Sequence, residues 1–266
     1  VKKLSARRRH PLAALVVLLF ALAVTGGLYA AFAPAKAQAE GGNTSIAIEE
    51  GKKLYLSGCS SCHGLNAEGS SDGPSLQGSG AAAVDFQVST GRMPLQQPGA
   101  QAPRKPAVYT QAQIDQLAAY IGSFGGPAKP EEKLYTPDEK MIAQGGELFR
   151  TNCSQCHNFS GAGGALSEGK FAPPLKDVDA KHIYEAMLTG PQNMPSFPDA
   201  SMPEEQKKAL VTYVKHTTEK ESNPGGLALG GLGPVSEGLF TWIFALGVLI
   251  ASAIWIAART SKARTK

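Results

Sequence analysis

Cys59-Ser60-Ser61-Cys62-His63 and Cys153-Ser154-Gln155-Cys156-His157 are two copies of one pattern, 94 residues apart, and they use all four cysteines of a 266-residue chain. Two thiols three residues apart reach the two vinyl groups of one porphyrin, and the histidine that follows is held under the iron as its proximal ligand. The pattern predicts two covalently bound haem c groups, with Cys59, Cys62, Cys153 and Cys156 as attachment points and His63 and His157 as iron ligands. Other uses of four cysteines fit less well. A disulfide closing so short a loop removes little unfolded-state entropy, and bridges between the two segments leave both histidines unexplained. Zinc ribbons separate their cysteine pairs by roughly 15–20 residues.

Around each motif the sequence repeats itself. Gly51-Lys52-Lys53-Leu54-Tyr55 lies eight residues before Cys59, and Gly145-Gly146-Glu147-Leu148-Phe149 lies eight before Cys153. Downstream, Gly73-Pro74-Ser75-Leu76 answers to Ala172-Pro173-Pro174-Leu175. Thr90-Gly91-Arg92-Met93-Pro94 answers to Thr189-Gly190 followed by Met194-Pro195. Each copy closes on an amphipathic stretch, Ile114 to Phe124 and Gln206 to His216, spaced as a helix.

Helix, haem motif, proline turn, short helix, Met-Pro loop and final helix, in that order, resemble the class I cytochrome c fold, over residues 45–126 and again over 138–221. The fold class implied is all-α, with two tandem domains. In that family a proline carbonyl accepts a hydrogen bond from the proximal histidine, and Pro74 and Pro173 match that proline. The resemblance also implies a methionine as the second axial ligand. In the first copy Met93 is the only methionine between His63 and Met141. The second offers Met187, Met194 and Met202: Met187 falls in a predicted helix and reads as packing, Met202 matches no residue of the first copy, and Met194 shares the Thr-Gly lead. His182 and His216 are the alternative ligands, but each sits in a charged helical context that favours a solvated side chain.

Both ends of the chain are apolar. Residues 11–33 and 239–258 contain no charge, and each run is long enough to cross a bilayer as a helix of roughly 20 residues. Lys2, Lys3, Arg7, Arg8 and Arg9 precede the first run, and Arg259, Lys262, Arg264 and Lys266 follow the second. By the positive-inside rule both termini face the cytoplasm and the haem domains face outward in the cell membrane. A cleavable signal peptide is the rival reading of the first run, since Ala35-Lys36-Ala37-Gln38-Ala39 offers small-residue positions. The run is nevertheless longer than the roughly 7–15 apolar residues of a signal core. Removing these nine cations from the 26 in the chain leaves 17 basic against 22 acidic side chains, so nothing points to nucleic acid.

The organisation expected is a basic end (1–10), a span (11–33), a linker (34–44), the first haem domain (45–126), a proline-containing linker (127–137), the second haem domain (138–221), a Gly-rich linker (222–238), a second span (239–258) and a basic tail (259–266). The stretch from Leu95 to Pro106 reads as an inserted flexible loop. No Walker loop, nucleophile elbow or His-Glu-x-x-His occurs.

Two class I domains between two spans, with the lead Gly225 to Gly238 into the last helix, are similar to the dihaem cytochrome c subunit of the actinobacterial cytochrome bcc complex, a menaquinol:cytochrome c reductase. That resemblance implies an electron relay with a cytochrome b subunit, a Rieske iron-sulfur subunit and an aa3-type oxidase as partners, dimeric through the complex, with quinol chemistry left to cytochrome b. The alternative is a membrane-anchored dihaem cytochrome serving another exported dehydrogenase. A dihaem peroxidase requires an iron with an open position, which Met93 and Met194 argue against.

Overall fold

The computed structural model describes residues 11–32, 35–97, 99–130, 133–219 and 234–263. The amino-terminal cations, the last three residues and most of the Gly-rich lead (220–233) lie outside that set. The chain is mostly helical: α1 (Pro11–Phe32), α2 (Ala35–Gly58), α3 (Ser60–His63), α4 (Gly80–Ser89), α5 (Gln111–Gly122), α6 (Glu139–Asn152), α7 (Ser154–His157), α8 (Ala180–Thr189), α9 (Glu204–Thr218) and α10 (Pro234–Ala263). A two-residue antiparallel pair, β1 (Gly164–Ala165) with β2 (Phe171–Ala172), sits in the second domain. Helix α2 begins at Ala35, so residues read as a linker extend the first helix of domain one.

Each domain is organised by one helix crossing, α2 over α5 in the first and α6 over α9 in the second. Glycine makes both crossings possible. A Cβ on Gly51 would overlap the Gln116 carbonyl, and a Cβ on Gly145 would overlap that of Ala209. Four residues on, Tyr55 meets Tyr120 with ring centroids 5.3 Å apart, and Phe149 meets Tyr213 at 5.4 Å. Tyr55, Ala67, Val88, Ile114, Leu117, Tyr120 and Ile121 form the first core. Phe149, Ile183, Tyr184, Met187, Met202, Leu210, Val211 and Val214 form the second, joined by Leu134 from the linker. Thr110 caps α5 in a reciprocal box with Gln113, and Asp138 caps α6 by accepting from Met141 N at 3.0 Å.

The two domains lie against each other through α4 and α8. Ser89 Oγ is 2.8 Å from His182 Nε2, and the edge of the His182 ring meets Phe86 at 6.2 Å. His182 is therefore buried at the domain boundary, not solvated as its charged helix suggests. The residues 95–106 also depart from the expectation of a free loop. Gln101 clamps Phe171 of the second domain, donating to its carbonyl at 2.7 Å and accepting from its N–H at 3.0 Å. Gln192 donates to the Ala102 carbonyl at 3.2 Å. The insertion is a strap across the boundary, held at its far end by Lys105 N to Thr90 O, 3.1 Å.

Among the described residues, α10 contains the one stretch long and apolar enough to cross a membrane, Ser236–Ala258 with mean hydropathy 2.3, and none of it is buried. Trp242, Ile243, Phe244, Ile250 and Trp255 all face outward, as side chains meant for lipid do. The apolar part of α1 is shorter, Ala14–Gly27.

Candidate functional site, two haem-attachment motifs on one plan

In both copies the Cys-x-x-Cys-His segment forms a single helical turn, α3 or α7, entered directly from the end of the crossing helix. Cys59 N bonds to Tyr55 O at 2.8 Å and Cys153 N to Phe149 O at 2.9 Å, so the buried aromatic that anchors each crossing also sets where the thiols begin. Within each motif the first cysteine is half-buried at the edge of its core and the second is exposed. No cysteine is paired with another. Burial, then the neighbouring thiol, pushes Cys59 and Cys153 up to about 11, so these sulfurs are protonated thiols rather than ready metal thiolates.

His63 Nδ1 lies 2.8 Å from the carbonyl of Pro74, and His157 Nδ1 lies 3.1 Å from that of Pro173. A carbonyl only accepts, so each ring carries its proton on Nδ1 and keeps the Nε2 lone pair for a metal. Burial lowers the His157 pKa, with the Pro173 hydrogen bond opposing it, which keeps that imidazole neutral.

Sequence reading missed what brings the prolines under the rings. Six residues after each histidine stands a glycine in the left-handed region, Gly69 at φ +89° and Gly163 at φ +80°. Gly69 N bonds to His63 O at 2.7 Å and Gly163 N to His157 O at 2.9 Å. A Cβ on Gly69 would sit 3.0 Å from the Pro74 carbonyl carbon, and one on Gly163 would sit 2.9 Å from that of Pro173. A second shared clamp closes the loop, Leu76 N to Ala67 O at 2.9 Å and Leu175 N to Gly161 O at 2.8 Å. The identical spacing of these glycines was the available signal.

Met93 and Met194 are half-buried against the cores that also hold Cys59 and Cys153 respectively. Each follows a helix and a Thr-Gly turn; Met93 N bonds back to Gln87 O at 2.9 Å, and Gly190 caps α8 at φ 58°. Met187 and Met202 are instead fully packed inside the second core, 2% and 3% exposed. His216 is exposed on α9.

Two free thiols, an imidazole with its outer nitrogen fixed and a half-buried thioether are the donor set of a c-type haem, and the residues present fit that group twice. The fold and motifs thus define a protein of the cytochrome c class. Residues 48–124 match the cytochrome c family, and residues 140–214 match the family described as cytochrome c oxidase, cbb3-type, subunit III. The chain is 47% identical to the cytochrome bc1 complex cytochrome c subunit of Mycobacterium tuberculosis (strain ATCC 25618 / H37Rv) over 262 residues, covering 96% of this chain and 93% of the relative. It is 45% identical to the subunit of the same name from Corynebacterium efficiens, covering 97% and 94%. A more distant relative, the cbb3-type cytochrome c oxidase subunit CcoP of an Azospirillum species, is 25% identical over 64% of this chain and 62% of its own. The chain belongs to the family of cytochrome bc1 complex cytochrome c subunits, electron-transfer components of an oxidoreductase.

Proposed function

We propose that the chain binds two haem c groups, the first through Cys59 and Cys62 with His63 and Met93 on the iron, the second through Cys153 and Cys156 with His157 and Met194. The observation that carries this reading is the duplicated histidine-to-proline carbonyl contact, His63 to Pro74 and His157 to Pro173, each beside a pair of free thiols. A haem so held supplies reversible one-electron exchange. The protein's own part is to fix the imidazole by Pro74 or Pro173, to keep the methionine sulfur half-shielded from water, and to leave no open position for a substrate. The chain is a relay and breaks no bond itself.

The partners follow from the family. Electrons enter from a Rieske iron-sulfur subunit beside a cytochrome b subunit and leave to an aa3-type oxidase, the whole assembly being dimeric. Helices α1 and α10 anchor the chain in the cell membrane, with both termini cytoplasmic and the haem domains outside; the outward apolar surface of α10 supports this. The strap and the α4–α8 contact hold the two domains side by side, which favours passage from one haem to the other over separate use of each.

The test is to tag the chain, extract it gently from its own membranes and record reduced-minus-oxidised spectra. Two c-type haems per chain with co-purifying b-type and a-type bands are expected. Bands of c type alone, under equally gentle conditions, would direct the assignment to another exported dehydrogenase.

A further inference from the structure

One group of charged side chains takes no part in haem attachment. Asp85 on α4 and Glu185 on α8 are both completely buried where the two domains meet. Lys181 of α8 pairs with Asp85 Oδ2 and lies 4.0 Å from Glu185 Oε1. Lys129 of the linker is 3.6 Å from Asp85 Oδ1 and also pairs with Asp115 of α5, while Gln111 of α5 donates to Asp85 at 3.2 Å. At the edge of the group, His182 faces Asp179 at 3.6 Å, and the positive charge of Arg104 in the strap is felt at His182.

Both Glu185 oxygens are buried with no hydrogen-bond partner, and the nearest cation, Lys181, is paired with Asp85 and stands 4.0 Å from Oε1. A buried carboxylate left without partners is strongly unfavourable, so the site favours holding a proton. Burial and the facing Asp85 carboxylate both hold Glu185 well above the usual range.

The position of the pair connects it to both haem sites. Asp85 precedes Met93 by eight residues and Glu185 precedes Met194 by nine, on the two helices that lead into the methionine loops. Met93 N bonds to Gln87 O at 2.9 Å, two residues beyond Asp85, and Phe197 N bonds to Met187 O at 2.7 Å, two residues beyond Glu185, so both methionine loops fold back onto the helices that carry the pair. A change of charge near a buried pair is felt more strongly than in bulk water, because protein screens it less.

We propose that Asp85 and Glu185 form a proton-binding site shared by the two haem domains, which takes up a proton from solvent when a neighbouring iron is reduced and releases it on reoxidation. The inference rests on the two haems proposed above. Atoms and electrons balance simply: the upstream one-electron donor of the bc1-type complex converts ferric to ferrous iron, and one O–H bond forms on the carboxylate pair. The direction follows from charge. Ferric iron favours the ionised pair, and losing one positive charge nearby favours the protonated one. Lys129 and Lys181, with side chains 30% and 35% exposed, connect the pair to solvent.

The experiment is a redox titration of both haems in the intact purified complex across a pH series, for the wild type and Glu185→Gln, with redox-difference infrared spectra of each. The visible spectrum is recorded first: missing c-type bands in the wild type would overturn the haem reading itself, and this inference with it. With the bands intact, the wild-type potentials are expected to fall as pH rises on the alkaline side of neutrality, and Glu185→Gln to reduce that slope at least twofold. A protonated-carboxyl band that changes with redox state should vanish in the same variant. If Glu185→Gln does not assemble, Asp85→Asn serves, and the carboxyl band should shift because the charge facing Glu185 has been removed. An unchanged slope in Glu185→Gln, or no redox-dependent carboxyl band in the wild type, would overturn the proposal.

Discussion

Replacing Gly145 with Ala tests whether the crossing of α6 over α9 sets the position of the second haem motif. The new Cβ would lie 2.0 Å from the Ala209 carbonyl oxygen, 2.6 Å from its carbonyl carbon and 2.8 Å from Tyr213 Cβ, against 3.4–4 Å for ordinary contact. Most of what it meets is backbone, so α9 must move away by at least about an ångström. A gap of that size forfeits a quarter to a half of each contact across it, and a buried Phe149 makes dozens of contacts worth about 0.1–0.2 kcal/mol each. The loss from that one ring is about 1–2 kcal/mol, within the 1–3 kcal/mol typical of overpacked cores. Strain from the carbonyl raises it, and the better helix propensity of Ala returns about 1 kcal/mol. A net loss of about 2 kcal/mol is expected, equivalent to a fall in melting temperature of about 8–16 °C for a domain of this size. The assay is thermal unfolding of the haem-loaded chain in detergent, followed by circular dichroism and by the far-red absorption of Met-ligated ferric haem. The second signal should fail first, because Cys153 is carried on the end of α6. A melting temperature within about 2 °C of wild type would refute the argument that the close approach is required.

Three further outcomes are expected. Met93→Leu and Met194→Leu should each abolish the Met-ligated signature of one haem, whereas Met202→Leu should keep both spectra and cost at most about 1.5 kcal/mol as a volume-conserving core swap; loss of a signature in Met202→Leu would reverse the ligand assignment. Gln101→Ala removes the two hydrogen bonds that tie the strap to Phe171, about 1–3 kcal/mol together, and should raise amide hydrogen exchange in residues 99–106 without altering either haem spectrum. Stability of the domain boundary should depend on pH in two opposite ways. Burial alone would raise Asp85, but Glu185, Lys181 and Lys129 bring it below its ordinary value, so its contribution is present above that value and is lost as pH falls through the lowered one. Glu185 is raised to about 9, so its contribution is complete below its ordinary value near 4.5 and declines as pH rises toward 9; denaturation at a series of pH values should show that decline, and Glu185→Gln should remove it.

The sequence alone determined most of what depends on local spacing, the turn glycines Gly69 and Gly163 excepted. The two Cys-x-x-Cys-His motifs, the repeat of glycine and aromatic residues before them, the proline turns and the apolar carboxy-terminal run are covalent or periodic features, and periodicity survives without coordinates. Tertiary structure decided what depends on residues far apart in the chain meeting. Gly51 and Gly145 announce themselves as repeats, but only the crossings show that a carbonyl occupies the place of a side chain. Gln101 reads as part of a loose insertion until its partner, 70 residues away, appears at 2.7 Å. His182 looks solvated on its own helix because the neighbours that bury it, Phe86 and Ser89, belong to the other domain. The same holds for Asp85 and Glu185, unremarkable acids in two separate helices. Burial and charge balance are properties of the space between elements, and no spacing along one strand of sequence encodes which acid will be closed off from water beside another.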